Sequence, residues 1–178
     1  MLFESSDFTI RKARPSDRNH LRAMQATSMR TLAARCYSRA EIEAFMTFVG
    51  TMDDRLIEDG TYYVVEADGH PVASGGWSRQ SASHVARLAD PTAAKLRNLF
   101  VHPDWARHGL GRKLAERAEA DAFMAGFDRM ELNALLSGVP FCRALGYRPS
   151  RPIELKLPDG VLFRGLTMNK LIGDSEPA

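Results

Sequence analysis

A β-strand that is stopped and then turned into a helix constrains this chain more than any other stretch of it. Leu96-Arg97-Asn98-Leu99-Phe100-Val101 has strand character, and it ends at His102-Pro103 because proline has no N–H with which to extend a ladder. A glycine-bearing turn follows. From Gly109 to Gly126 the apolar positions Leu110, Leu114, Ala118, Ala122 and Ala125 recur at helical spacing, which makes one face of an amphipathic helix, and Gly126 suits its C-cap. A helix with one apolar face next to a strand needs a sheet to pack on, so the chain is expected to be α/β.

The rest of the chain supplies that sheet. Phe8 to Ala13 alternates apolar and polar residues as a half-buried strand does, and Pro15-Ser16-Asp17 brings helix-capping chemistry ahead of an inner stripe of Leu21, Met24, Ser28 and Leu32. Ser38 with Glu41 three residues on reads as a capping box, followed by Ile42, Phe45, Met46 and Val49. Tyr62 to Ala67 and Val72 to Trp77 flank Asp68-Gly69, a hairpin signal, and Gly75-Gly76 beside Trp77 suggests a bulge or a close backbone approach. A polar, mobile connection is expected from Gln80 to Pro91. Arg129 to Asn133 is a strand, Val139 to Leu145 a short helix ended by Gly146, and Pro158-Asp159-Gly160 the turn of a last hairpin. The order β-α-α-β-β-β-α-β-α-β-β describes a mixed α/β (α+β) sheet of about seven strands flanked by about four helices. One domain is expected over residues 1–172, with a flexible polar tail at 173–178.

Composition narrows the function. The 178 residues, 44% hydrophobic, suffice for one substantial core. A net charge of +2 lacks the basic excess of a dedicated nucleic-acid binder, so an anionic ligand must be met by a local cluster. Cys36 and Cys142 lie far apart, without the spacing of a zinc site or disulfide framework, and no metal is expected. No targeting segment is visible in Met1 to Asp7 and no apolar run is long enough to span a bilayer, which together with reduced thiols points to a cytoplasmic protein with no membrane partner.

The local cluster follows the stopped strand. The first turn of a helix carries amides without helical partners, and the macrodipole adds positive charge there, so an anion is stabilised. Gly109 and Gly111 admit a close approach, and Arg107, His108, Arg112 and Lys113 surround the same point. A diphosphate fits such a turn. A dinucleotide fingerprint would need glycine where Leu114 stands, and a P-loop would need Gly-Lys-Ser/Thr; neither is present. The same letters also describe an ordinary strand-to-helix turn with a solvated basic face.

The run FVHPDWARHGLGRKL followed by GVPFCRALGY resembles the GNAT superfamily of N-acetyltransferases. The signature of that family, Gln/Arg-x-x-Gly-x-Gly/Ala, is met at Gly109 and Gly111, while Ala106 stands at its first position. The resemblance implies the GNAT acyl-CoA N-acyltransferase fold and transfer of an acetyl group from acetyl-CoA to a primary amine by direct attack in a ternary complex. It implies coenzyme contacts at Leu99, Phe100, Val101, Arg107, His108, Gly109, Leu110, Gly111 and Arg112. A backbone N–H near Val101 would hold the thioester oxygen, a contribution worth about 3–4 kcal/mol in acyl-transfer enzymes. Cys142 stands where the family places the tyrosine that protonates the departing thiolate. His102, Glu66 and Glu131 are candidates for the base, each with an ordinary structural reading as well. Tyr37, Trp77 and Ser78 are the expected acceptor-lining residues, and edge strands offer a route to a homodimer. Two readings from other classes stay open: a noncatalytic acyl-CoA-binding sensor, and a protein-interaction domain without coenzyme affinity.

Overall fold

The computed structural model describes residues 8–173, with the side chains of Ser83, His84 and Leu88 left aside. The expected tail from Asp174 onward, and the first seven residues read for a targeting segment, lie outside the described residues. In chain order the elements are β1 (Thr9–Lys12), α1 (Arg18–Leu32), α2 (Arg39–Phe48), α3 (Arg55–Glu58), β2 (Tyr62–Ala67), β3 (His70–Ser78), β4 (Ala94–Val101), α4 (Leu110–Met124), β5 (Arg129–Leu135), α5 (Val139–Ala144), β6 (Arg148–Lys156) and β7 (Leu162–Leu171).

Local chemistry explains most of these boundaries. The Ser38 hydroxyl accepts from the Glu41 amide at 3.1 Å and the Glu41 carboxylate accepts from the Ser38 amide at 2.7 Å, so α2 opens on the expected reciprocal cap. Asp17 does not cap α1 with its side chain; its carboxylate instead accepts from the Arg14 amide at 2.7 Å and from Arg11, tying the entry turn Pro15–Asp17 to β1. Asp68 and Gly69 have φ of 51° and 76°, both left-handed, as the two-residue turn between β2 and β3 requires. Two features depart from expectation. The described residues form five α-helices rather than the expected four or so, because α3 is a single turn and shows no apolar period. The Gln80 to Pro91 connection contains a 3-10 helix, Ser83–Leu88, with Val85 buried.

One seven-stranded sheet results, in the order β1-β2-β3-β4-β5-β7-β6. Every neighbouring pair is antiparallel except β4 and β5. Along β2 the side chains alternate between two cores: Tyr62 and Val64 pack with Leu21, Met24, Leu56 and Ile57 beneath α1, while Tyr63 and Val65 pack with Leu110 and Leu114 of α4. Both faces of the sheet are therefore covered, and β2 reads as a nearly continuous apolar run rather than as an alternating one.

The parallel pair is short. β4 and β5 are in register only at Ala94↔Met130 and Lys95↔Glu131, whereas β4 stays paired with β3 as far as Val101↔Ala73 and β5 with β7 as far as Leu135↔Gly165. Each strand is thus held on its outer side while the seam between them opens.

Candidate functional site

The open seam begins with a bulge. Between the pairs Gly76↔Arg97 and Ser74↔Phe100, β3 advances by two residues and β4 by three, so β4 carries an extra residue there. Asn98 absorbs it with φ of 53°. Side-chain alternation shifts across it: Leu96 and Leu99 both pack towards the α4 side, and Phe100 towards the α1 and α2 side. The Asn98 carbonyl accepts from the Tyr62 hydroxyl at 2.8 Å, and its side-chain amide donates to the Thr51 carbonyl at 2.5 Å. Gly75 lies opposite, where a Cβ would come within 2.6 Å of Leu99 Cδ1, so the expected close approach at the glycine pair is present.

Past the last parallel pair lies a cleft of about 450 Å³. Lys95, Arg97, Leu99 and Phe100 line it from β4, Glu131, Asn133 and Leu135 from β5, and Phe45, Met52, Asp53 and Cys142 from flanking segments. Lys95 and Glu131, both almost wholly buried, face each other at 3.5 Å where the strands part. The Lys95 ammonium also donates to the carbonyls of Ala93, at 2.7 Å, and Asp90, and Glu131 accepts from the Asp90 amide at 3.3 Å. These contacts satisfy two charges that would otherwise be costly to bury. Asp53 is gripped by Arg55 and Arg97, each at 2.9 Å, and the Arg55 hydrogen bond, reinforced by Arg97, holds its carboxyl down to about 2. Burial pushes the Cys142 thiol up to about 11.

The glycine turn lies beyond α5. The His102 amide donates to the Val72 carbonyl at 2.8 Å, and its Nδ1 accepts from the Asp104 amide at 3.2 Å, capping the 3-10 turn Pro103–Trp105. Arg107 and Gly109 follow with φ of 66° and 78°. The bond from the Lys113 amide to the Gly109 carbonyl, 3.1 Å, is the first of α4, so the amides of Leu110, Gly111 and Arg112 precede the helical ladder. Arg107, His108, Gly109 and Arg112 are exposed around that start, and Leu110 and Gly111 are buried. Gly111 faces inward against Phe141 of α5, and the next residue of α5, Cys142, lines the cleft.

Leu99, Phe100 and Cys142 therefore meet at the cleft, while Val101 turns to Leu110 and Leu114 under α4. His102 stands outside the cleft lining, and Glu66 is paired with Arg11 at 2.6 Å. Tyr37, Trp77 and Ser78 are not among the cleft residues either. The Tyr37 hydroxyl donates to the Arg164 carbonyl and accepts from the Leu136 amide at 2.8 Å, with its ring stacked on Phe163. Trp77 is 5% exposed and packs edge-on against Phe127, and the Ser78 hydroxyl accepts from the Gln80 amide at 3.1 Å. Sequence reasoning passed over Lys95, Arg97 and Asp53. The signal available for the bulge was Asn98, a polar residue at which the strand alternation breaks.

A family profile described as Acetyltransferase (GNAT) family matches residues 26–147, more than half of the chain. The chain belongs to the GNAT acetyltransferase family. Solved structures share the fold of this GNAT protein. A GCN5-related N-acetyltransferase from Rhodopseudomonas palustris aligns with TM-score 0.73 at 21% identity, over 92% of this chain and 95% of that one. PaiA N-acetyltransferase from Thermoplasma acidophilum, in complex with coenzyme A, aligns with TM-score 0.67 at 16% identity, over 92% and 98%. A GNAT family acetyltransferase from Brucella melitensis, in complex with acetyl-CoA, aligns with TM-score 0.57 at 20% identity, over 96% and 91%. No curated protein matches the chain. Among the described residues of this GNAT chain, no group of three or more His, Cys, Asp and Glu side chains could hold a metal ion, and no helix is long and apolar enough to cross a membrane.

Proposed function

We propose that this GNAT protein moves the acetyl group of acetyl-CoA to a primary amine by direct attack in a ternary complex. The observation that carries the reading is the β4–β5 seam, which parts after Lys95↔Glu131 while both strands keep their outer partners. Strand-edge amides and carbonyls then face a cavity, and an extended amide-bearing arm such as pantetheine can pair with them as a strand would. The start of α4 suits the diphosphate: a 15-residue helix presents the amides of Leu110, Gly111 and Arg112 beside the Arg107, His108 and Arg112 side chains. Ala106 contributes no side-chain donor, which leaves the backbone to do most of the holding. The Thermoplasma protein in complex with coenzyme A and the Brucella protein in complex with acetyl-CoA, on the same fold, support a coenzyme ligand for this chain.

In the reaction the acceptor nitrogen attacks the thioester carbonyl carbon, the C–N bond forms and the C–S bond breaks. The proton lost by nitrogen passes to a base and the departing sulfur takes one up. Glu131 is the base this reading favours, since it is among the residues that line the cleft whereas His102 and Glu66 are not. Cys142 lines the cleft at the place of the family tyrosine, but burial makes its thiol a weaker acid than the departing alkyl thiol, so the sulfur takes its proton from solvent.

The test has two parts. Calorimetry with acetyl-CoA is expected to show one binding site, and a thiol-release assay over a panel of primary amines is expected to find at least one acceptor that accelerates release. Binding without any acceptor-dependent release would favour the sensor reading, for which the tethering of Asp53 and Glu131 to basic side chains speaks. No binding at all would overturn both.

A further inference from the structure

We propose that the buried cluster Gln25, Tyr62 and Ser74 is a positioning device that fixes the Asn98–Leu99 peptide so that the Leu99 N–H faces the open seam, aimed at the thioester oxygen. The inference rests on the acetyl-transfer reading above and names what sets the geometry of its oxyanion donor.

All three side chains are fully buried. Tyr62 packs among Leu21, Met24, Leu56, Ile57 and Val64, an environment in which apolar side chains of similar shape would carry no desolvation cost, so this polarity needs a use. The contacts converge on one atom. The Gln25 amide nitrogen donates to the Tyr62 hydroxyl at 2.9 Å and to the Ser74 hydroxyl at 3.3 Å, and the two hydroxyls lie 3.0 Å apart. The amide also reaches Met52 Sδ at 3.6 Å, and the single Tyr62 proton, with the Ser74 hydroxyl at 3.0 Å and the Asn98 carbonyl at 2.8 Å to choose from, has its closer acceptor in that carbonyl. A second tether, from the Asn98 side chain to the Thr51 carbonyl, holds the same residue in its left-handed conformation, which side chains other than glycine seldom adopt.

Topology turns this anchor into an aim. Tyr62 belongs to β2, which lies with β3 on the side of β4 remote from β5. A trans peptide points its C=O and its N–H in opposite directions. With the Asn98 carbonyl drawn towards Tyr62, the Leu99 N–H is directed to the other side, where β4 has parted from β5. A register slip that undid the bulge would reverse that peptide and take the donor away from the seam.

The experiment needs no acceptor amine. In protein carrying ¹⁵N-leucine, the Leu99 amide proton is expected to move downfield with acetyl-CoA and much less with CoA, and the ¹³C-labelled acetyl carbonyl to shift with it. Tyr62→Phe is expected to abolish or sharply reduce both shifts while the calorimetric Kd for CoA changes less than about twofold, because CoA carries no thioester oxygen for the Leu99 N–H to hold. Ser74→Ala, which removes one partner of Tyr62 with little change in volume, is expected to reduce the shifts partially and serves if Tyr62→Phe does not fold. Full shifts in both variants would overturn the inference and leave the acetyl-transfer reading standing. Acetyl-CoA binding with no Leu99 shift in the unsubstituted protein would overturn the aim itself. Absence of acetyl-CoA binding would take down the reading of the site and this inference with it.

Discussion

The Phe141 ring is seated against Gly111: a Cβ on that glycine would come 2.9 Å from Phe141 Cζ. The second glycine of the turn thus has a packing reason that is independent of any phosphate. It lets α5 close on the first turn of α4, and through the neighbouring Cys142 it ties the glycine turn to the cleft.

Gly111→Ala is therefore expected to cost about 1–2 kcal/mol of stability by overpacking, read from the urea midpoint. Adding Phe141→Leu should recover most of that loss and, because the new methyl faces inward, the acetyl-CoA affinity as well. Recovered stability with affinity still lost would show that the glycine is needed for backbone contact with the ligand.

Arg107 holds a left-handed conformation at the exposed edge of the same turn. Arg107→Gly removes that strain but adds freedom to the unfolded chain, so stability should change by less than about 1 kcal/mol. Acetyl-CoA affinity should fall severalfold at low salt and by less at high salt, since a charge has been withdrawn from the diphosphate site. An unchanged Kd across salt concentrations would remove Arg107 from that site.

The Asp53 carboxyl, held by Arg55 and Arg97, lies at about 2 against an ordinary 3.8. Its folded-state value is depressed, so its contribution is complete above about pH 4 and is lost as pH falls through 2, amounting to about 1–2 kcal/mol. Denaturation measured between these limits should show a steeper acid loss for the native sequence than for Asp53→Asn. Parallel pH profiles would refute the assignment.

Cys36 is exposed and Cys142 buried, with its thiol raised to about 11 from an ordinary 9.0. At neutral pH Ellman's reagent should modify Cys36 at least about 100-fold faster than Cys142, and acetyl-CoA should slow Cys142 further. Equal rates would mean that the cleft opens readily to solvent at this position.

Tyr37→Phe removes a hydroxyl that bridges the Arg164 carbonyl and the Leu136 amide. The expected cost is about 1–3 kcal/mol in stability. The KM of any acceptor found by thiol release should change less than about twofold. A large KM effect without loss of stability would return Tyr37 to the acceptor site, as the sequence first suggested.

The legible parts of the fold share one property: their chemistry is short-range. The Ser38–Glu41 cap, the Asp68-Gly69 turn and the period of α4 each act within a few residues, and each occurs where the letters place it. The helix α3 was invisible because a single turn has no period to detect. The family resemblance implies Tyr37 and Trp77 as acceptor-lining residues, and in the fold Tyr37 stacks on Phe163 and Trp77 packs edge-on against Phe127, contacts between residues far apart in sequence.

By itself the sequence determined the order of the elements apart from α3, the strand that stops at His102-Pro103 and the glycine turn that starts α4. The tertiary structure decided that β4 and β5 part after one short register, that Asn98 carries the bulge, and that Lys95 meets Glu131 where the seam opens. The reason is physical: caps, turns and apolar periods are set by neighbours along the chain. Which groups face a cleft between two strands depends on how each strand is held by its partner on the far side, and those partners lie far away in sequence.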